Sequence, residues 1–365
     1  MNIEIFNTIE ECRVLRNDWN EIALINAHDP LGIGVNCSYE MTETLWRTHL
    51  HGLPQYIIVA YDNDRVMGIM PCYMKVTKRL GFVRKEIGLI YELYLGRSGF
   101  IVREQSLTIL ESLLDAVFNR IKGWDIFHIT TVNGGPSNKL IKNVIDNGYC
   151  CADIYSHTVV PYIKLPSSWD EYLSSRKRAF RKGIKKYSKK LISEGEVEIK
   201  AINNEDDVDY FLNAMFSIER KSWKEASGTS LTKKPLQEEF HRVFTSVAAH
   251  AGLLKAYLLT LNGLPIAYHY NVLYGEIIYD FKSSYIDDFK KLAPGKVLRS
   301  MILEQFINEG IQIMDFVGEI QPHKMDWTDA TYKISNYTLF NNTLHSKIWW
   351  LRSRFSRYFK RFTPN

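Results

Sequence analysis

Asp315, His323 and Lys324 lie close together in one stretch and have the side chains to hold charge and move protons. The stretch reads D-F-K-S-S-Y-I-D-D-F-K-K-L-A-P-G-K-V-L-R-S-M-I-L-E-Q-F-I-N-E-G-I-Q-I-M-D-F-V-G-E-I-Q-P-H-K from Asp280 to Lys324. Its pattern is a strand, a loop ending in Ala293-Pro294-Gly295, an amphipathic helix, a buried strand over 311–316 and a polar loop. A loop that feeds a helix start turns backbone N–H groups toward an anionic ligand. Lys324 is either a solvated lysine or a donor that stabilises negative charge on a carbonyl or phosphate. His323 titrates near neutrality, so it is either a surface histidine or the base that deprotonates an amine nucleophile. Asp315 ends the buried strand; it either caps the loop or holds a substrate amine. His269 and Asp280 fall on central strands. Alternation puts His269 on the face of Ala267 and Asn271, opposite Tyr268 and Tyr270; a satisfied buried histidine is the simpler reading.

Other chemistries leave no signature. The sequence has no zinc-ligand spacing, Walker loop, G-x-S-x-G elbow or G-x-G-x-x-G. Asn133-Gly134-Gly135-Pro136 reads as a turn, and no pair of acids stands out as a hydrolase couple. The 365 residues suit two domains, and 45% hydrophobic with 13% aromatic content is enough to fill cores. A net charge of +5 is too mild by itself to argue for nucleic acid. Five sparse cysteines favour a reducing compartment, with Cys150 and Cys151 read as small buried side chains. The N-terminus has no leader pattern and no apolar run is long enough to span a bilayer. A soluble, cytoplasmic protein is expected.

The elements that must position these residues read as two α/β units. In the first, 10–26 is a helix with Val14, Leu15, Trp19 and Ile22 on one face, 55–61 and 65–74 form a hairpin, 106–122 is a helix, 124–130 a strand and 138–147 a helix stopped by Gly148. In the second, 205–224 and 235–251 are helices, 253–261 and 265–273 a hairpin around Asn262-Gly263, 276–283 a strand, 295–308 a helix and 311–316 a strand. The two hairpins share a plan, Y-I-I-V-A-Y-D-N-D-R-V-M-G-I-M-P against L-L-K-A-Y-L-L-T-L-N-G-L-P-I-A-Y, which an internal duplication explains. Nine of the fifteen residues from Arg176 to Lys190 are Lys or Arg, and they are expected to continue a helix begun near Trp169. Phe180, Ile184, Tyr187 and Leu191 give that segment an apolar face; Lys182 and Lys185 lie on the cationic one and are expected to attract an anionic ligand. In the tail, Ile348, Leu351, Phe355, Phe359 and Phe362 make an apolar stripe among six cations, with no acid after Asp329. That suits either docking on the protein or peripheral contact with an anionic inner membrane.

Several ordered motifs resemble one family. E-R-K-S-W-K-E-A-S-G-T (Glu219, Trp223, Lys224) resembles the E-x-x-x-W-K-x-x-x-G-T signature of a GNAT-superfamily branch, the BioF2-like or cellulose-biosynthesis acyltransferases. L-N-G-L-P-I-A resembles its G-x-P-I-A strand and A-P-G-K-V-L its S-P-G-x-L-L. D-F-V-G-E-I-Q-P-H-K-M-D-W resembles its D-F-x-x-G-x-x-P-Y-K-x-x-W, with Asp315, Lys324 and Trp327 in register. The basic segment resembles its S-R-K-x-R-R-x-x-R-R stretch. Two departures are His323 in place of a Tyr and Glu319 in place of a Gly. The branch is related to the Fem-type aminoacyltransferases, which are tandem GNAT units.

The resemblance implies two tandem GNAT-like domains, each a mixed twisted sheet flanked by helices, over 1–157 and 158–345, with a basic tail over 346–365. It implies an N-acyltransferase that moves an acyl group from acyl-CoA, acetyl-CoA included, to an amine of an amino sugar or an envelope or polysaccharide precursor, small or lipid-linked, without a metal. Pro294, Gly295, Lys296 and Arg299 would hold the donor pyrophosphate. Lys324, His323 and Asp315 would act in catalysis. Glu219, Trp223, Lys224, His269, Asp280 and Trp327, with Lys182 and Lys185, would line the substrate site. The alternatives are an aminoacyl-tRNA-dependent ligase and a basic adaptor for nucleic acid or anionic lipid.

Overall fold

The structure is a computed structural model that describes residues 1–27, 31–79, 82–90, 99–104 and 106–360. The first part of the chain runs β1 (Asn2–Phe6), α1 (Arg16–Ile25), α2 (Tyr39–His49), β2 (Gln55–Asp62), β3 (Arg65–Arg79), β4 (Phe82–Leu89), β5 (Ile101–Val102), α3 (Leu107–Asn119), β6 (Ile126–Val132) and α4 (Pro136–Asp146). Strand β7 (Cys151–Lys164) leads into α5 (Trp169–Ser175), α6 (Arg178–Ser193), β8 (Val197–Ile202), α7 (Val208–Arg220), α8 (Trp223–Ala226) and α9 (Pro235–His250). Then come β9 (Leu254–Leu261), β10 (Leu264–Tyr274), β11 (Ile277–Tyr285), α10 (Pro294–Asn308), β12 (Ile313–Asp315), α11 (Pro322–Met325), β13 (Thr331–Phe340) and α12 (Leu344–Lys360).

The chain forms two units, Met1–Val159 with Tyr332–Asn365, and Val160–Thr331. They repeat one plan. In the first, β1 to β4 pair antiparallel in order, α3 follows, and β6 lies parallel to β4 over Glu86–Gly88. In the second, β8 to β11 pair antiparallel in order, α10 follows, and β12 lies parallel to β11 over Ile277–Tyr279. An antiparallel strand closes each: β13 beside β6, and Tyr162–Lys164 of β7 beside β12. Both leading hairpins turn on an Asn at positive φ, Asn63 at 50° and Asn262 at 49°, and Gly263 follows at 78°. Two consecutive positive φ values match the right-handed twist of the flanking strands, which explains Asn-Gly there. The shared order supports the duplication read from the sequence.

The structure differs from the sequence reading in several places. Residues 332–345, expected in the second domain, return to the first unit, because Ile334 to Phe340 pair with Val132 to Ile126. The expected helix over 10–26 is a 3-10 turn, Glu11–Leu15, followed by α1, and Val14 points outward, 83% exposed. The basic segment does not continue the helix at Trp169: Arg176 and Lys177 are extended (ψ 154° and 143°) and break it into α5 and α6. Helix α10 is amphipathic only in its second half, since Val297, Leu298, Arg299 and Ser300 are all buried. Cys150 is buried as expected and Cys151 half-buried. The tail does form α12, whose Trp349 packs on Ile126 and Phe340; Arg361 and Phe362 lie outside the described residues.

In the second unit α10 presses Leu298, Ile302, Leu303 and Phe306 onto Tyr257, Ile266 and Met314. Each such side chain is worth roughly 1.5–3 kcal/mol on burial. One local cost opposes this. Ala293, immediately before α10, sits at φ 49°, ψ 49°, a left-handed conformation that costs a residue with a Cβ roughly 1–2 kcal/mol. Glycine would remove that cost while losing about 0.5–1 kcal/mol to a freer unfolded chain. Ala293→Gly should therefore raise stability by up to about 1 kcal/mol, read as a higher midpoint in urea with an unchanged slope.

Candidate active site

Two buried clusters meet on β11. The first is built around Glu219 at the end of α7. Its carboxylate accepts from Lys224 Nζ at 3.2 Å, Tyr268 Oη at 2.7 Å and the Leu231 amide at 3.0 Å. Burial alone would raise its pKa; the Lys224 charge and these bonds outweigh that and hold it below the usual carboxylate range. Lys224 also donates to the Ser283 carbonyl at 2.7 Å. Glu219 and Lys224 of the E-x-x-x-W-K signature thus pin α7 and α8 to β10 and β11, while Trp223 is half exposed.

The second cluster lies on the opposite face. Arg299 of α10 donates to Asp280 Oδ2 at 2.7 Å and to Ser283 Oγ at 3.3 Å. His269 places Nδ1 3.6 Å from Asp280 Oδ1 and Nε2 3.3 Å from the Gly295 carbonyl. That carbonyl can only accept, so Nε2 carries the hydrogen in this contact. The Arg299 guanidinium lies 4.9 Å from the Phe316 ring centre and 5.7 Å from that of Trp327. Burial would raise the Asp280 pKa, but the Arg299 charge drives it far below normal. Burial and Arg299 together lower that of His269.

A β-bulge makes this arrangement possible. Tyr270 is opposite Lys282 and Asn271 opposite Asp280, so Phe281 is the extra residue. Asp280 and Ser283 therefore share the His269 face, although simple alternation separates them. Lys282 moves to the Tyr270 face, toward Glu219 and Lys224. Burial, then Lys224, push its pKa down to about 8. Sequence reasoning missed Lys282, Tyr268 and Ser283. The signal for Lys282 was weak, a second charge after Asp280 on a strand that opens Ile277-Ile278-Tyr279.

Beyond Asp315 the chain winds around Lys324. Asp315 is fully buried and its Oδ1 accepts from the Val317 amide at 2.8 Å, which gives it the loop-capping role. Val317 has φ 40° and Gly318 φ 116°, and a Cβ on Gly318 would stand 3.6 Å from Lys324 Nζ. The Lys324 ammonium donates to the Phe316 and Glu319 carbonyls at 3.2 and 3.3 Å. Burial lowers its pKa, with Asp280 opposing. His323 is also lowered, by burial, Arg299 and Lys324, so it is mainly neutral at pH 7.

The structure thus brings together Lys324, His323, Asp315, Asp280, His269, Arg299, Gly295 and Trp327, with Glu219 and Lys224 reached through Ser283. Pro294 opens α10. Lys296 lies near Asp326, 3.3 Å away, and over the Phe180 ring of α6. Arg299 does not stand free for a phosphate; it is committed to Asp280. Lys182 and Lys185 are exposed on α6, opposite the face that buries Phe180 and Ile184. A cavity of about 240 Å³ next to Trp327, lined by Lys164, Tyr172 and Arg176, includes none of the acid–base residues. Among the described residues no His, Cys, Asp and Glu group could hold a metal.

The buried pair fixes two outcomes. Asp280→Asn leaves Arg299 without its counter-charge and should cost about 3–5 kcal/mol in chemical denaturation. Because the folded Asp280 pKa is depressed, its contribution is complete above the unfolded value near 4 and is lost progressively as pH falls from there through the lower folded value. His269 is depressed from about 6.5, so the unfolded chain takes up a proton first and stability declines as pH drops below 6.5. Melting temperatures from pH 7 to pH 5 should fall less steeply in His269→Gln than in the parent.

The acetyltransferase (GNAT) domain family model matches residues 178–325. A search of curated proteins finds no match. Among solved structures, FemX superposes with a TM-score of 0.63 at 12% identity, covering 96% of this chain and 99% of FemX. A conserved protein of unknown function from Bacteroides thetaiotaomicron VPI-5482 gives 0.60 at 9% identity, covering 93% and 100%. The C-terminal domain of an Agrobacterium fabrum protein described as a lysylphosphatidylglycerol synthetase gives 0.53 at 7% identity, covering 92% and 95%. With the two repeated units, these likenesses support a pair of GNAT-like domains. The family match falls on the unit that holds both buried clusters: residues 178–325 are similar to an acetyltransferase (GNAT) domain, and the likeness of the whole chain to these solved structures is one of fold.

Proposed function

We propose that this protein transfers an acyl group from an acyl-CoA thioester to the amine of an amino sugar or an envelope polysaccharide precursor. One observation carries the choice of donor. Strand β12 ends at Asp315, opposite Tyr279, while β11 continues to Tyr285. Past Tyr279, Asp280 and Ser283 of β11 bond to Arg299 of α10, and the Tyr285 ring lies against Gly295 at the start of that helix. An extended arm bearing amides, such as pantetheine, can add to such a strand edge. The donor phosphates would sit at the start of α10, against the Gly295 N–H and the Lys296 ammonium. Lys296 can be recruited cheaply, because its partner Asp326 is 57% exposed and a surface pair is worth little.

In the reaction, the acceptor nitrogen attacks the thioester carbonyl carbon. Negative charge builds on the carbonyl oxygen, the C–S bond breaks, CoA leaves as the thiolate, and the proton lost by the nitrogen passes through the base to the sulfur to give the CoA thiol. Lys324 supports the oxygen charge. His323, neutral at pH 7, takes the proton. Juxtaposing donor and acceptor supplies much of the rate. The competing donor is an aminoacyl-tRNA, favoured by the exposed cations of α6. It would give a steep loss of binding with salt, which CoA would not.

Lys296→Glu should weaken CoA binding by ~1–3 kcal/mol in titration calorimetry. Lys324→Ala should lower kcat by roughly 10²-fold without lowering the melting temperature. Equal turnover in Lys324→Ala would mean that the lysine only ties its loop. The acidic limb of the kcat/KM profile should lie below 6.5 and disappear in His323→Gln.

A further inference from the structure

The first unit carries a surface that acyl transfer does not use. In the β3–β4 hairpin, Val76, Phe82 and Val83 are 61%, 52% and 47% exposed. Lys75, Lys78, Arg84 and Lys85 accompany them, and the sequence from 73 to 85 has no acid. Helix α12 packs against this hairpin. Trp349 meets Phe82 edge to face at 6.1 Å, Arg84 lies 5.3 Å from the Trp349 ring centre, and Arg352 lies 5.0 Å from that of Phe82. Trp349 and Ser346 are buried on the inner side of α12. On its opposite side Leu344, Ile348 and Leu351, at four- and three-residue spacing, are 77%, 49% and 48% exposed. A helix that only docks on its own protein needs one apolar face; α12 has a second, flanked by exposed Lys347, Arg352 and Arg354.

Of the hairpin cations, Arg84 and Lys75 are offset by Glu86, while Lys78 and Lys85 are exposed. Glu86 is buried and held by Arg84 and Thr77, Asp125 is buried and bonded to the Lys85 amide and His345, and Asp153 is buried and bonded to Ser353. The carboxylates face in with Arg84, while Lys78, Lys85, Lys347, Arg352, Arg354 and bare aliphatic chains face out. Nucleic acid would reward the cations but gain nothing from exposed Leu, Ile and Val. A layer of anionic headgroups over hydrocarbon rewards both.

We propose that the β3–β4 hairpin and α12 together form a surface that lies on an anionic membrane. Phe82, Val83, Leu344, Ile348 and Leu351 enter the interface, and the flanking cations sit among lipid phosphates. The inference is independent of the donor assignment. It extends the tail reading from sequence by adding the hairpin and by turning Trp349 inward.

The test is sedimentation of the full chain with vesicles of phosphatidylcholine alone or mixed with phosphatidylglycerol. The parent should bind only the mixed vesicles, and less as salt rises. Leu344→Asp with Leu351→Asp, and separately Phe82→Asp with Val83→Asp, should each weaken binding by about tenfold or more. Lys347→Gln with Arg354→Gln, which changes no buried residue, should weaken it similarly and guards against a misfolded aspartate variant. No binding to mixed vesicles, equal binding to both kinds, or loss only in the tail variants would overturn the composite surface. Displacement by duplex DNA with the apolar variants unaffected would assign it to nucleic acid instead.

Discussion

The buried Asp280–Arg299 pair is the interaction on which the second unit's site depends. It joins β11 to α10, and His269 adds β10 through the Gly295 carbonyl. Burying two charges is expensive unless they meet closely and find further bonds. Here Ser283 and the faces of Phe316 and Trp327 supply those contacts to Arg299. The strand, the helix start and the Lys324 loop thereby share one anchor. The pair leaves less room for Arg299 as a phosphate ligand; in the proposed reading that task falls to Lys296 and the Gly295 amide.

Much of this was legible in the sequence. The hairpins, α9 and the strand–helix–strand run around α10 follow from hydrophobic spacing and Asn-Gly turn chemistry. Lys324 and His323 stood out by type and place. What was not legible was set by tertiary contacts. A bulge at Phe281 cannot be read from alternation, so the common face of Asp280 and Ser283 and the opposite placement of Lys282 were hidden. The return of β13 to the first unit depends on pairing with β6, Ile334 opposite Val132 through Phe340 opposite Ile126, and no local pattern reports so distant a partner. The break at Arg176 and Lys177 was masked because a run of good helix formers looks continuous.

The two units spend one topology differently. Both place a strand parallel to the fourth strand after a helix crossover, but the buried charge clusters described here belong to the second. The first has a basic and apolar outer face instead. A duplicated fold can divide chemistry and attachment in this way without altering the order of its strands.

The most direct measurement is amide hydrogen exchange of the full chain with and without CoA. A donor laid along the free part of β11 and the start of α10 predicts slowed exchange in 280–285 and 295–297, with the β3–β4 hairpin and α12 unchanged. Unaltered exchange in both segments at saturating CoA, or protection confined to α6, would contradict the assignment of that strand edge as the acyl-donor site.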